Sequence, residues 1–226
     1  MIAVSCPHPP LLLPGITGGP VAEVERLRER CLAAIAALRD IDLLVIVGGG
    51  TDTRVFDLET PLPTEHFAPS GVPSNGEVLP LSLAVGCTLA AAAAQARSSP
   101  ALQLQAVASS ASRQECAELG NELARRAERV GLLVMADGSA RRSTAAPGYL
   151  DERAAGFDAR IEAALRAGEP AGLLGLEIEL AADLLVAGRA AWQVLAGSFA
   201  GRSPRAELSD SEDPFGVWYP IATWRD

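Results

Sequence analysis

The segment Leu43-Leu-Val-Ile-Val-Gly-Gly-Gly50 decides the fold class of this 226-residue chain. Its first five residues form an unbroken apolar run, which is typical of a strand buried on both faces of a sheet. Three similar short runs predict strands at 2–5, 102–108 and 132–136. Longer segments between them predict helices at 21–38, 81–97 and 112–129. Strands that alternate with helices indicate an α/β fold.

Local signals support the helices and complete the outline. The first helix carries apolar residues at helical spacing, and Ser112 precedes Glu115 by three residues, as in a capping box. The stretch 149–197 predicts several helical pieces, broken near 168–170 and at Gly188. Two more strands are expected at 205–208 and 217–221, joined by an acidic turn at 210–213. We therefore expect a single domain over 1–226, with a mixed central sheet and helices on both faces.

The composition excludes several classes of function. The formal net charge is −9, and such an acidic chain repels nucleic acid. No lysine occurs, which excludes a Schiff-base or Walker-type lysine. The four cysteines are scattered without a Cys-x-x-Cys pair, so neither a zinc knuckle nor a disulfide framework is predicted. No basic leader or long apolar segment is present, and we expect a cytoplasmic protein without membrane contact.

Polar residues follow three of the predicted strands. His8 stands in Cys6-Pro-His-Pro-Pro10 after the first, Gly48 to Asp52 follow the second, and Asp137 to Arg142 follow the fourth. Ligands of open α/β sheets bind beyond the carboxyl ends of the strands, where such turns converge. The long segment 51–79 is rich in Pro, Gly and Ser, and its length predicts a functional loop or a loop with a small β excursion.

The two histidines suggest a metal site. Prolines flank His8 and fix its backbone, while His66 lies in the long loop beside Glu65. Two histidines and a nearby carboxylate, such as Glu65, form the facial triad of non-haem iron when they meet. A hydrogen-bonded turn histidine is the alternative for His8, since the spacing does not bring these side chains together.

The turn at 137–142 allows two interpretations. Asp137, Ser139, Arg141 and Arg142 place a carboxylate, a hydroxyl and two guanidinium groups at one strand end. The arginines could bind a carboxylate or phosphate through paired hydrogen bonds. They could equally be solvated charges that answer Asp151 and Glu152. Ser139, His8 and Asp52 could also form a hydrolase triad, but no nucleophile-elbow motif supports it. The glycines 48–50 could form an anion nest or a tight packed turn.

Several segments, in order along nearly the whole chain, resemble the LigB-like proteins. This family contains the catalytic subunits of class III extradiol ring-cleavage dioxygenases and their MEMO-like relatives. The opening Pro7-His-Pro-Pro10 resembles the family's N-terminal motif. A second family block is resembled by Val134-Met-Ala-Asp-Gly-Ser-Ala-Arg-Arg-Ser143, followed by Ala146-Pro147 and Gly156-Phe-Asp158. The segment Asp213-Pro-Phe-Gly-Val-Trp-Tyr219 resembles the family's C-terminal strand.

The resemblance implies a catalytic set that this chain retains only in part. Active relatives hold Fe(II) with two histidines and a glutamate and use another histidine as acid and base. His8 matches the first metal histidine, but Gly50 stands where the second is expected. Ala140 stands where the acid/base histidine is expected. Glu177 or Glu179 would be the metal glutamate, although neither aligns clearly.

We therefore expect a LigB-like protein with a degenerate metal site that binds a small ligand or a protein partner. The predicted cleft contains His8, Gly50, Asp52, Asp137, Ser139 and Arg141, and His66 would join it if the long loop folds back. One alternative is an active Fe(II) dioxygenase for a catechol-like substrate, with Asp52 or His66 as substitute ligands. Another is a non-catalytic accessory subunit, since the resemblance also implies association with a partner chain or a homo-oligomer.

Overall fold

One mixed sheet of seven strands organises the molecule in the computed structural model, which describes residues 1–63, 76–94 and 100–226. The strands are β1 (Ile2–Cys6), β2 (Leu43–Gly50), β3 (Arg54–Phe56), β4 (Ala101–Ala108), β5 (Val130–Met135), β6 (Arg205–Glu212) and β7 (Tyr219–Arg225). The helices are α1 (Ala22–Ile35), α2 (Leu81–Ala93), α3 (Arg113–Leu123), α4 (Arg153–Ala167), α5 (Pro170–Leu174), α6 (Ile178–Asp183) and α7 (Arg189–Ser198). A short 3-10 helix, Pro10–Leu12, follows β1. The predicted α/β class with a mixed sheet is confirmed.

The strand order, β3-β4-β2-β5-β1-β7-β6, places four parallel strands in the centre. Strands β4, β2, β5 and β1 are parallel to one another, with Val4 paired to Leu133 and Leu133 to Ile46. The three remaining strands are antiparallel to their neighbours. Because parallel strands end at the same edge, the turns after β1, β2, β4 and β5 converge there.

Both faces of the sheet are covered by apolar residues. Val45, Val47 and Val134 point to one face, where they pack with residues of α3, α4 and α7, including the buried Trp192. Ile46 and Leu133 point to the other face, where they pack with α1 and α2. Buried apolar area of this kind stabilises the fold by about 25 cal/mol per Å².

Small residues let the helices approach closely. Ser82, in the first turn of α2, lies directly over Gly48 of β2 and donates to the carbonyl oxygen of Gly49 at 2.7 Å. Helices α3 and α7 cross at Gly120 and Gly197, and a Cβ added at Gly120 would lie 2.7 Å from the main-chain nitrogen of Ser198. No other residue type fits this crossing without displacing a backbone.

The structure corrects several predicted boundaries. The capping box is present, with the main-chain N–H of Glu115 donating to the Ser112 hydroxyl and the Ser112 N–H to the Glu115 carboxylate, but α3 ends at Leu123 rather than at 129. The segment 51–79 contains the short strand β3, the β excursion that its length allowed. Residues 95–97, predicted to end the second helix, lie outside the described residues.

The predicted acidic turn at 210–213 is wrong. Strand β6 runs on to Glu212, because its pairing with β7 continues to Glu212 opposite Tyr219. Arg30 of α1 pairs with Asp210 at 2.6 Å and with Glu212 at 3.0 Å. A β-bulge lies between Leu208 and Asp210, and the turn itself begins at Asp213. The second strand of this pair is Tyr219–Arg225 rather than 217–221.

Within the described residues, no helix is both long enough and apolar enough to cross a membrane.

The α3–α7 crossing predicts opposite effects for two glycine substitutions. We expect Gly120→Ala to lower the free energy of unfolding by about 1–3 kcal/mol, because the new methyl group meets main-chain atoms that cannot move independently. Gly156→Ala, in the exposed face of α4 with no atom near the added Cβ, should raise it by roughly 0.5–1 kcal/mol. Urea unfolding of both variants measures the effects, and equal effects would contradict the close crossing.

Candidate functional site

His8 is held rigidly at the carboxyl end of β1. Its main-chain N–H donates to Oδ1 of Asp137 at 2.7 Å, and its side chain is only 8% exposed. The imidazole Nδ1 lies 3.5 Å from the same carboxylate oxygen and makes no hydrogen bond within the described residues. The 3-10 helix that follows fixes the turn, so the ring has little freedom to leave this position.

Asp137 connects His8 to Tyr219. Its carboxylate accepts the His8 main-chain N–H, and its charge lies close enough to Tyr219 to act on the phenol. Burial raises the pKa of Asp137, and the neighbouring His8 opposes this rise. Burial also raises the pKa of Tyr219, and the Asp137 charge adds to it. The three groups form a buried polar cluster under the sheet edge.

A cleft of about 460 Å³ opens above this cluster, among the ends of β1, β2 and β4 and the start of α2. Its polar side chains come from His8, Thr51, Arg54, Ser82 and Ser109. Apolar walls are provided by Phe56, Val78, Leu79, Pro80 and Leu81. The Arg54 guanidinium donates to the Glu77 carboxylate and lies 4.1 Å from the centre of the Phe56 ring, so Glu77 already balances its positive charge. A mostly apolar cleft with a few polar groups suits a small organic ligand.

Gly50 lies in this cleft but offers no side chain to it. A Cβ added there would contact the Ala106 Cβ at 3.1 Å and the Pro80 Cγ at 3.5 Å. The position that would carry the second metal histidine, according to the family resemblance, thus presents only backbone.

Ser139 and Arg141, predicted to line the cleft, lie elsewhere. Ser139 is fully buried; its hydroxyl donates to the carbonyl oxygen of Leu184 at 2.7 Å and accepts from the Arg141 main-chain N–H at 3.1 Å. Arg141 pairs with Asp151 at 3.8 Å. Neither residue lines the cleft at His8, so the Ser139–His8–Asp52 triad has no support in the placement of these side chains.

Arg142 is also committed inside the protein. It pairs with Asp158 at 3.6 Å and with Asp213 at 3.0 Å, rather than with the Glu152 considered from the sequence. The charged side chains of the turn at 137–142 therefore all contact other groups of the protein. Asp137 alone among these residues touches the candidate site, through His8.

The described residues do not fit a three-ligand iron site. They contain no group of three His, Cys, Asp or Glu side chains arranged to hold a metal ion. Asp52 is exposed and accepts from the Thr51 hydroxyl at 3.2 Å, and Glu177 pairs with Arg160 at 3.1 Å. Glu179 is exposed at the start of α6. The predicted ligand His66 and its neighbour Glu65 lie outside the described residues.

Sequence analysis overlooked two features of this edge. Ser109 follows β4 and lines the cleft, but only the turns after the other parallel strands were considered. Arg189 is buried at the start of α7 and lines a second pocket of about 240 Å³. An arginine inside the otherwise apolar run from Leu184 to Trp192 was the signal that could have identified it.

Fold and cleft define an α/β protein with a ligand-sized cleft at the carboxyl edge of a mixed sheet. No family model matches the chain, and no curated protein matches it. Among solved structures, it is similar to the uncharacterized protein JW3007 from Escherichia coli K12, with a TM-score of 0.57 and 15% sequence identity over 100% of both chains. At this identity the similarity shows the fold.

The Asp158 carboxyl predicts a pH-dependent stability. Burial raises its pKa from 3.8 to about 6, while its hydrogen bond from the Ser139 N–H and its pairing with Arg142 oppose the rise. A raised pKa in the folded state means that this group's contribution is complete below about pH 4 and is lost as the pH rises through 6. The difference corresponds to roughly 3 kcal/mol.

We expect Asp158→Asn to flatten the decline in unfolding free energy between pH 4 and 6, because the amide keeps an acceptor oxygen and does not ionise. Asp213→Asn is the matched control, since Asp213 contacts the same arginine but is 46% exposed. Urea unfolding at four pH values measures the slopes. Equal slopes for Asp158→Asn and the parent chain would contradict the assignment.

Proposed function

We propose that this chain is a LigB-like protein whose site has lost its three-ligand metal set and now binds a small organic molecule. The main observation in favour is His8, a buried histidine that is anchored to Asp137 and lines a ligand-sized cleft. The ordered motifs, the α/β fold and the glycine at position 50 support the same proposal.

The cleft favours a small cyclic or aromatic ligand with polar substituents. His8, Thr51 and Ser109 offer hydrogen bonds, while Phe56 and Leu79 offer apolar contact. The main-chain hydrogen bond to Asp137 fixes the backbone of His8 and burial restricts its ring, so little conformational entropy is lost when a ligand binds it. Preorganisation of this kind suits recognition without chemistry, and also acid–base work if a substrate proton lies within reach.

Metal analysis combined with a ligand screen tests this proposal. The full chain is incubated anaerobically with Fe(II), Zn(II) or Mn(II), and tightly held ions are counted after desalting. We expect far less than one ion per chain. One ion per chain that is lost in both His8→Ala and His66→Ala would contradict the proposal and favour the dioxygenase alternative.

The ligand arm uses thermal unfolding with a panel of small cyclic compounds. A ligand present at 100 times its Kd stabilises the folded state by about 2.7 kcal/mol, a rise of roughly 5–10 °C for a chain of this size. We expect such rises to vanish in His8→Ala and to persist in Glu179→Gln, which changes an exposed residue away from the cleft. Hits that do not respond to His8→Ala would overturn the assignment of the cleft.

Restoring the missing side chain tests the LigB-like origin of the site. We expect Gly50→His to bind Zn(II) at about one ion per chain, because Gly50 lines the same cleft as His8. Gly156→His is the control, since Gly156 is exposed on α4, has no atom near an added Cβ and does not line the cleft. Zinc titration with a chromophoric chelator measures the gain. Binding by the control, or by the Gly50→His variant after His8→Ala is added, would contradict the proposal.

A further inference from the structure

Arg189 is a buried cation without an acidic partner. It is only 3% exposed, and its guanidinium donates to the carbonyl oxygen of Ala111 at 2.6 Å, to Oε1 of Gln193 at 2.8 Å and to the carbonyl oxygen of Ser109. No carboxylate pairs with it within the described residues. By contrast, Arg142, which is less buried, contacts two carboxylates.

Such an arrangement leaves the charge uncompensated. Burial lowers the pKa of Arg189, and only the Cys116 thiol lies close enough to oppose this effect. Burial in turn raises the pKa of Cys116, so the thiol remains neutral and supplies no negative charge. Carbonyl and amide dipoles satisfy hydrogen bonds but do not cancel a charge, and an unpaired buried ion is costly to the folded state.

The guanidinium still has donors to offer. Arginine carries five N–H groups, and the three bonds use both on Nη1 and one on Nη2. Among the described residues no oxygen accepts from the Nε–H or the second Nη2–H, and the Cys116 sulfur is the one further group that interacts with the guanidinium. Two donors on one planar group match the two oxygens of a carboxylate.

Arg189 lies at the polar end of the second pocket, the side pocket of about 240 Å³. The rest of its lining is mostly apolar, from Ile178, Ala181, Ala182, Val186 and Ala190, with Ser109 and Ser110 beside the arginine. Ser109 and Ala187 also line the cleft at His8, so the two spaces adjoin. A cavity of about 240 Å³ accommodates a short aliphatic chain together with its carboxylate.

We propose that this side pocket binds the carboxylate of a small organic acid, with Arg189 as the anion receptor and the apolar lining in contact with the carbon chain. The proposal extends the function above, on which it rests in treating the pocket as one arm of the ligand cleft. A single buried cation in a chain of net charge −9 suits a monoanion better than a phosphate dianion.

The test uses two matched probes, sodium butanoate and neutral butanamide, titrated into the full chain by calorimetry and by thermal unfolding. We expect butanoate to bind and to raise the unfolding temperature, with an affinity at least tenfold above that of butanamide. Arg189→Gln should remove this preference. Equal binding of the acid and the amide, or no binding of either, would overturn the proposal.

A second variant guards against misfolding, because Arg189→Gln also removes donors from the Ser109 and Ala111 carbonyl groups. Ala182→Phe leaves the arginine in place and fills the pocket from its exposed rim. We expect butanoate binding to be lost in Ala182→Phe, with circular dichroism unchanged. Unchanged binding in a folded Ala182→Phe chain would refute the location.

His8→Ala separates this proposal from the function proposed above. If butanoate still binds to His8→Ala and no cyclic ligand is found for the cleft, the function proposed for the cleft is refuted and the carboxylate pocket is supported. If cyclic ligands bind through His8 but butanoate does not bind, only the carboxylate pocket is refuted.

Discussion

The buried main chain that leaves β5, residues 136–139, is the constraint on which the carboxyl edge of this protein depends. Its polar groups cannot reach water, so each must find a partner in the protein. The partners come from three directions: Ala136 N–H to Cys6 at 2.8 Å, Gly138 N–H to Trp218 at 2.8 Å, Trp218 N–H to Ser139 at 3.1 Å, and Gly188 N–H to Asp137 at 2.8 Å. One extended segment thereby fixes the end of β1, the entry to β7 and the start of α7.

The positions of His8 and Arg189, the two residues proposed to bind ligands, follow from this constraint. The Asp137 side chain accepts the main-chain N–H of His8 and so sets the histidine at the cleft. The Asp137 carbonyl accepts from Gly188, immediately before Arg189, and a Cβ at Gly188 would lie 2.7 Å from that carbonyl oxygen. The close approach of Gly188 to the Asp137 main chain thus positions Arg189, and the Asp137 carboxylate positions His8.

The sequence predicted the features that depend on local pattern. Apolar runs located the four central strands, and Ser112 with Glu115 located the start of α3, since both signals act over a few residues. Features that depend on distant partners were mispredicted. Strand β6 continues through 210–212 because these residues pair with β7, and Arg30, some 180 positions earlier, pairs with Asp210 and Glu212. No local pattern at 210–213 reports these contacts.

The candidate site shows the same division. Proline on both sides of His8 and glycine at position 50 were visible as sequence, and both residues line the cleft. Ser139 and Arg141 looked equally suitable, yet the Ser139 hydroxyl donates to Leu184, and Arg141 pairs with Asp151 and does not line the cleft. A polar side chain at a strand end is available to a ligand only if the fold leaves it without a partner, and that condition is set by tertiary contacts.

Charge accounting distinguishes the two kinds of arginine at this edge. Arg142 connects α4 to the turn after β6 through ion pairs with Asp158 and Asp213, and these two carboxylates balance its positive charge. Arg189 also holds backbone together, through Ser109 and Ala111, but carbonyl acceptors leave its positive charge intact beside an open pocket. Under the proposal made above, a bound anion supplies the missing counter-ion, and Arg189 and His8 belong to one ligand-binding edge.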